Sequence, residues 1–128
     1  MSYYFTKTTS LGYEQALVRV QEALTKEGFG IITEIDVKET LKKKLNVDFR
    51  RYKILGACNP SLAHQALQVE SRIGTMLPCN VIVQEREDGH TEVSAINPLE
   101  SMKAVANPQL EHIGSQVAAR LKAVVDRL

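Results

Sequence analysis

The sequence has few aromatic residues and few cysteines, and it lacks a long hydrophobic run. Tryptophan is absent, and two cysteines, Cys58 and Cys79, occur in 128 residues. No stretch approaches the roughly 20 apolar residues of a membrane-spanning helix, and MSYYFTKTTS lacks the basic-then-apolar plan of a signal peptide. We therefore expect a cytoplasmic protein without a membrane partner, whose cysteines are free thiols, metal ligands or redox groups rather than a structural disulfide.

The sequence also lacks a charge bias and a recognised catalytic motif. Its 16 basic and 15 acidic residues give a formal net charge of +1, so a polyanionic partner such as nucleic acid is not expected. It contains no C-x-x-C, H-E-x-x-H, glycine-rich phosphate loop or G-x-S-x-G sequence. These absences leave open whether the protein is an enzyme, and they leave any cofactor unidentified.

The length predicts a single domain over residues 1–128. A chain of this size buries roughly two-thirds of the surface that its unfolded form exposes, so it needs no disulfide or metal to fold.

Hydrophobic periodicity and turn residues predict alternating strands and helices. The predicted strands are Tyr3–Thr8, Phe29–Val37, Tyr52–Cys58, Cys79–Glu85 and Thr91–Ile96, and the predicted helices run from Ser10 to Gly28, Lys38 to Leu45, Asn59 to Gly74, and Asn107 to the C-terminus. The Asp88-Gly89 turn signal and one-sided alternation favour an α+β fold, with a largely antiparallel sheet and helices on one face, over a doubly wound sheet.

Both cysteines lie at the ends of a strand. Cys58-Asn59-Pro60 ends the third strand and begins a helix, whereas Pro78-Cys79-Asn80 begins the fourth strand. If these strands are antiparallel the two cysteines are expected to be neighbours, and a parallel crossover would separate them. The helix N-terminus after Cys58 predicts a lowered thiol pKa.

Two hypotheses follow for the cysteines. In the first, Cys58 is an activated sulfur with Cys79 as partner and Asn59 and Asn80 as hydrogen-bonding supports, in a site for redox chemistry, a soft metal or a small ligand. In the second, the protein is a non-catalytic binding or dimerising module whose cysteines are small buried apolar residues. We favour the second because no third metal ligand is evident.

Two carboxylates, Glu34 and Asp36, share one face of the second predicted strand. Carboxylates at this spacing can chelate a hard cation or act as an acid/base pair, although a solvated sheet face is the commoner reason for the pattern. Asp36 and Glu39 also have the spacing of a capping box for the following short helix.

Several segments resemble the family known as domain of unknown function 302. They are GFGIITEIDV at 28–37, YKILGACNP at 52–60, LPCNVIV at 77–83 and SAINP at 94–98. The resemblance implies a TBP-like β-α-β(4)-α fold and association as dimers, and it supplies no activity or catalytic residue. The positions that match the family pattern are Glu34, Asp36, Cys58, Asn59, Pro60, Pro78, Cys79 and Asn80.

The apolar residues of one predicted sheet face and of the last predicted helix lead to two further expectations. One predicted sheet face, too apolar to be left in water, is expected to form a homodimer interface; its residues are Ile32, Glu34, Asp36, Leu55, Ile82 and Ile96. The last helix is expected to contribute most to the core through Leu110, Ile113, Val117, Leu121, Val124 and Leu128.

Overall fold

A computed structural model describes residues 2–128 of the chain. Within these residues strands and helices alternate as far as the third helix, and two consecutive strands and two further helices follow, with 3-10 turns at Ser71–Met76 and Lys103–Val105. The strands are β1 Tyr4–Thr9, β2 Gly30–Asp36, β3 Tyr52–Cys58, β4 Cys79–Glu85 and β5 Thr91–Ile96. The helices are α1 Tyr13–Lys26, α2 Val37–Leu45, α3 Pro60–Val69, α4 Pro98–Ser101 and α5 Pro108–Asp126.

All five strands form one antiparallel sheet in the order β1-β5-β4-β3-β2. Helices α1 and α5 pack on the sheet and on each other, and α3 packs on α5. The order β-α-β(4)-α, with α2 and α3 inserted between strands, confirms the predicted α+β fold with its helices on one face. None of the helices within residues 2–128 is both long and apolar enough to cross a bilayer.

The apolar stripe of α5 lies at the centre of the core, as predicted. Leu121 and Val124 are completely buried, and Leu110 and Ile113 are buried beside them. Leu128 is partly buried at the edge of the same cluster. The three- and four-residue spacing of these side chains gives α5 one continuous apolar face toward the sheet.

Two helices differ from the predicted bounds. Helix α1 begins at Tyr13 rather than after Ser10, because the Gln15 side chain reaches back to accept a hydrogen bond from the Gly12 amide at 3.3 Å. Helix α3 ends at Val69 rather than at Gly74, since Glu70 is extended and the Val69 carbonyl accepts from the Asn107 side chain at 3.0 Å.

A β-bulge in β2 alters the predicted faces of the sheet. Ile31 lies opposite Ala57 and Thr33 opposite Gly56, so the extra residue, Ile32, breaks the alternation. Ile31 therefore joins the helix-covered face, on the opposite side of the sheet from Thr33.

The prediction that the six interface residues share one face of the sheet is also wrong. Leu55 is buried under the helices at 2% exposure, while Ile82 belongs to the opposite face. On that opposite face Ile35, Ile54 and Ile82 lie side by side across three strands. We call the face that carries this isoleucine row the open face, because α1, α3 and α5 pack on the other side.

Candidate functional site: an apolar cavity at the strand-to-helix corner

A cavity of about 350 Å³ lies between the sheet, α3 and α5. Its floor contains Ala57 and Cys79, and Val117 of α5 forms part of one wall. Asn59 contributes the one side-chain amide among the wall residues within 2–128; the remaining wall residues are Phe29, Ile32, Cys58, Leu62, Ala63, Ala66, Leu67, Gly74, Leu77, Pro78, Pro98, Met102, Leu110, Ile113 and Gly114. The wall of the cavity is therefore almost entirely apolar.

The Cys58-Asn59-Pro60 segment builds the corner at which β3 becomes α3. The Asn59 side-chain oxygen accepts a hydrogen bond from the Leu62 amide at 3.2 Å, and Pro60 is the first helical residue. An asparagine cap followed by proline satisfies one exposed amide and removes another, so the helix begins at a fixed place. The predicted cap is confirmed.

Gly56 allows the strands and the Pro78 ring to approach closely at this corner. A Cβ at Gly56 would overlap the Thr33 hydroxyl and would lie 2.7 Å from Cγ of Pro78. Thr33 and Pro78 therefore fill the space beside Gly56, next to the residue at which β4 begins.

Cys79 is buried in the cavity floor. Its side chain is 8% exposed, and burial, with a smaller contribution from Cys58, raises the pKa of its thiol from 9.0 to about 11. A low-dielectric setting disfavours the charged thiolate. Cys79 is consequently a neutral, apolar wall group near pH 7 rather than an activated nucleophile.

The cysteines do not form a pair, although β3 and β4 are antiparallel as predicted. Cys79 lies opposite Ala57, and Cys58 lies opposite Gly30 on the other neighbouring strand. This offset of one residue means that Cys58 and Cys79 are not a cross-strand pair, although both contribute to the cavity wall, and both are free thiols. The expectation that antiparallel strands make them neighbours is wrong.

The structure also offers no third ligand for a metal at this corner. No group of three or more His, Cys, Asp or Glu side chains suited to a metal ion occurs among residues 2–128. The thiol-site hypothesis therefore has neither a second sulfur beside Cys58 nor a further ligand near it.

Asn80 lies outside the cavity. It is exposed on the open face opposite Gly56, one residue beyond Cys79 in β4. Asn80 is thus not placed to support Cys79, whereas Cys58, Asn59 and Cys79 all contribute to the cavity wall.

Glu34 and Asp36 lie at the far end of β3 from the cavity. Asp36 is opposite Lys53, five residues or about 17 Å along the strand from Cys58. The Glu34 carboxylate accepts from the Lys53 ammonium at 2.7 Å and thereby raises the pKa of Lys53. Asp36 accepts from the Glu39 amide at 3.0 Å, which confirms the predicted cap of α2.

Sequence reasoning did not identify the α5 side of the cavity. Gly114, in the middle of α5, is part of the wall, and a Cβ there would lie 3.7 Å from the Pro98 carbonyl oxygen. Glycine inside a helix costs about 1 kcal/mol relative to alanine. An isolated glycine within a strongly helical pattern was therefore a sequence signal that this position has a role other than forming the helix.

Comparisons with known proteins give a family and a fold. A model of the family described as "Domain of unknown function DUF302" matches residues 5–128. An uncharacterized protein from Aquifex aeolicus (strain VF5) is 23% identical over 125 residues, covering 95% of this chain and 81% of the relative. The crystal structure of an uncharacterized conserved DUF302 protein from Bacillus stearothermophilus superposes with a TM-score of 0.92 at 30% identity, covering 99% of this chain and 98% of the other.

Proposed function

The chain belongs to the family described as domain of unknown function DUF302, and we propose that it is a non-catalytic binding module that holds a small apolar molecule in the cavity. The observation that carries the proposal is the 350 Å³ cavity with its almost wholly apolar wall. Ligand sites in proteins are concave, largely apolar spaces of roughly 300–1,000 Å³ with a few placed polar groups. Asn59 is such a polar group, and the neutral Cys79 thiol fits a binding wall better than a reactive centre.

The size of the cavity limits the ligand. An engineered cavity of about 150 Å³ holds one benzene molecule with its six carbon atoms. By proportion, a 350 Å³ cavity has room for about fourteen non-hydrogen atoms. We therefore expect the protein to bind 1-octanol, a probe that has an apolar chain within this limit.

Calorimetric titration with 1-octanol tests the proposal. The wild-type protein should bind with saturation at one site, and Ala66→Leu, which adds volume to a wall position that is 4% exposed, should weaken binding by about tenfold or more. Ala119→Leu makes the same change at an exposed position on α5 and should bind as the wild type does.

A second variant separates loss of the cavity from loss of folding. Gly114→Ala places a methyl group in ordinary contact with Pro98 and favours the helix, so it should reduce octanol affinity without lowering the unfolding temperature. Absence of saturable octanol binding by the folded wild type, or equal binding by the wild type and Ala66→Leu, would reject the proposal.

We also propose that the module is a homodimer formed through the open face. Ile35, 49% exposed, continues the isoleucine row into Ile54 and Ile82. Arg86 donates to Gln84, and Gln84 donates to Glu92, so groups of both charge signs border this row. An apolar centre bordered by both signs suits a surface that packs on its own copy about a two-fold axis.

Sedimentation velocity with two matched variants tests the dimer. The wild type should sediment as a dimer at micromolar concentration, and Ile54→Lys should sediment as a folded monomer because it places a charge within the apolar row. Val18→Lys alters an exposed apolar side chain of α1, 61% exposed, and should remain dimeric. A monomeric wild type, or a dimeric Ile54→Lys protein, would contradict the open-face interface.

A further inference from the structure

The polar groups at one end of the cavity narrow the class of ligand. Asn59 uses its side-chain oxygen to cap α3, so the donor of its side-chain amide is the Nδ2 group. That Nδ2 lies 3.0 Å, and Nη1 of Arg120 lies 3.2 Å, from the point where Gly28 would carry a Cβ. Two side-chain donors therefore lie close together against Gly28, whose φ is +83°.

The charge of Arg120 is not matched by a carboxylate within residues 2–128. Its Nη1 donates to the backbone carbonyl of Glu27 at 3.1 Å, while the Glu27 carboxylate is bound by Arg127 at 2.9 Å. A guanidinium presents several donors in a planar fork that matches a carboxylate. Arg120 thus keeps donors available for an anionic group.

Arg120 also lies next to the apolar part of the cavity. It follows Val117, a wall residue, by three positions on α5, and residues three apart lie on the same side of a helix. Asn59 links the two regions because it belongs to the wall and is the neighbour of Arg120 at Gly28. The site is therefore apolar along its length and cationic at one end.

From this arrangement we propose that the ligand is an amphipathic carboxylate, whose chain fills the cavity and whose head group is held by Arg120 and the Asn59 amide. The proposal rests on the proposed binding function and specifies its ligand class. The volume limit of about fourteen non-hydrogen atoms admits a straight-chain acid of up to about twelve carbons with its two oxygens.

Calorimetric titration with three eight-carbon probes tests the head group. At pH near 7.5 the wild type should bind octanoate about tenfold or more tightly than 1-octanol, and 1-octanol more tightly than octylammonium, because charge-assisted hydrogen bonds favour the anion. The preference for octanoate should fall as salt is added, since the Arg120 side chain is exposed to solvent.

Two substitutions assign the effect to the named side chains. Arg120→Gln should weaken octanoate binding about tenfold and leave 1-octanol binding unchanged, whereas Arg19→Gln, at an exposed position of α1, should change neither. Asn59→Asp keeps a side-chain cap on α3 but replaces the amide donor by a negative charge, so it should weaken octanoate binding selectively.

The outcomes separate the two proposals. Binding of 1-octanol without a preference for octanoate, or octanoate binding that is unaffected by Arg120→Gln, overturns the carboxylate assignment and leaves the apolar binding function standing. Tighter binding of octylammonium than octanoate also overturns it. If none of the three probes binds, the binding function itself fails.

Discussion

At the scale of single residues, the surroundings of Cys79 determine its chemistry. A thiol with a pKa of about 11 is about 0.1% ionised at pH 8, whereas a thiol with the ordinary value of 9.0 is about 9% ionised. Because the thiolate is the nucleophile, burial lowers the reactivity of Cys79 on the order of 100-fold before any steric hindrance is considered.

Alkylation by iodoacetamide tests this expectation peptide by peptide. In the folded protein Cys79 should react about 100-fold more slowly at pH 8 than in urea, and its rate should keep rising with pH beyond 9 because the folded pKa is about 11. We still predict that Cys58, which is partly exposed next to the Asn59 cap, reacts with iodoacetamide before Cys79 does. Equal rates for Cys79 in the folded and unfolded protein would show that burial does not protect it.

Residue-level predictions succeeded where the interaction is local in sequence. Asp36 and Asn59 each bind an amide three residues ahead, so their caps could be read from spacing alone. The sequence could not show that Cys58 and Cys79 are not paired, because this depends on the register between β3 and β4, in which Cys79 lies opposite Ala57. A shift of one residue reverses the face on which a strand residue lies, and no local pattern fixes that shift.

At the scale of elements, α5 connects stability to the site. Its apolar face packs on the sheet through Leu121 and Val124, and its earlier turns supply the cavity wall at Ile113 and Val117. The same helix carries Arg120, which we propose holds the head group of the ligand. Movement of α5 relative to the sheet would therefore alter the core and the site together.

Truncation of Leu121 tests the role of α5 in the core. Leu121→Ala removes a completely buried side chain and should lower the free energy of unfolding by about 2 to 5 kcal/mol, as measured by urea denaturation. Leu45→Ala, at a position that is 66% exposed, should change it by less than about 0.5 kcal/mol. An unchanged midpoint for Leu121→Ala would mean that α5 does not carry the core.

Periodicity predicted the existence of the main elements and missed their irregularities. The bulge between Ile31 and Thr33 and the extended Glu70 between α3 and its 3-10 turn both interrupt otherwise regular apolar spacing. Each is fixed by tertiary contacts, such as the Asn107 side chain on the Val69 carbonyl. A sequence window of ten residues does not contain those partners.

At the scale of the whole molecule, the two faces of the sheet have different roles in our account. The helix-covered face borders the cavity, and the open face carries the isoleucine row that we propose packs on a second copy. The sequence predicted the antiparallel α+β fold, and three of its six candidate site residues, Cys58, Asn59 and Cys79, line the cavity. It did not predict the cavity, because α3, α5 and the Pro98 segment meet there only after the chain has folded.

The central claim is that the cavity binds a small apolar molecule, and the most direct test is to locate a bound apolar probe on the protein. Nuclear Overhauser effects should be measured between 1-octanol and the methyl groups of the uniformly labelled protein. The account predicts contacts to wall methyls of Leu62, Ile113 and Val117, with none to Ile54 or Ile82 on the open face. Contacts confined to the isoleucine row, or an absence of contacts at the cavity methyls under saturating octanol, would contradict it.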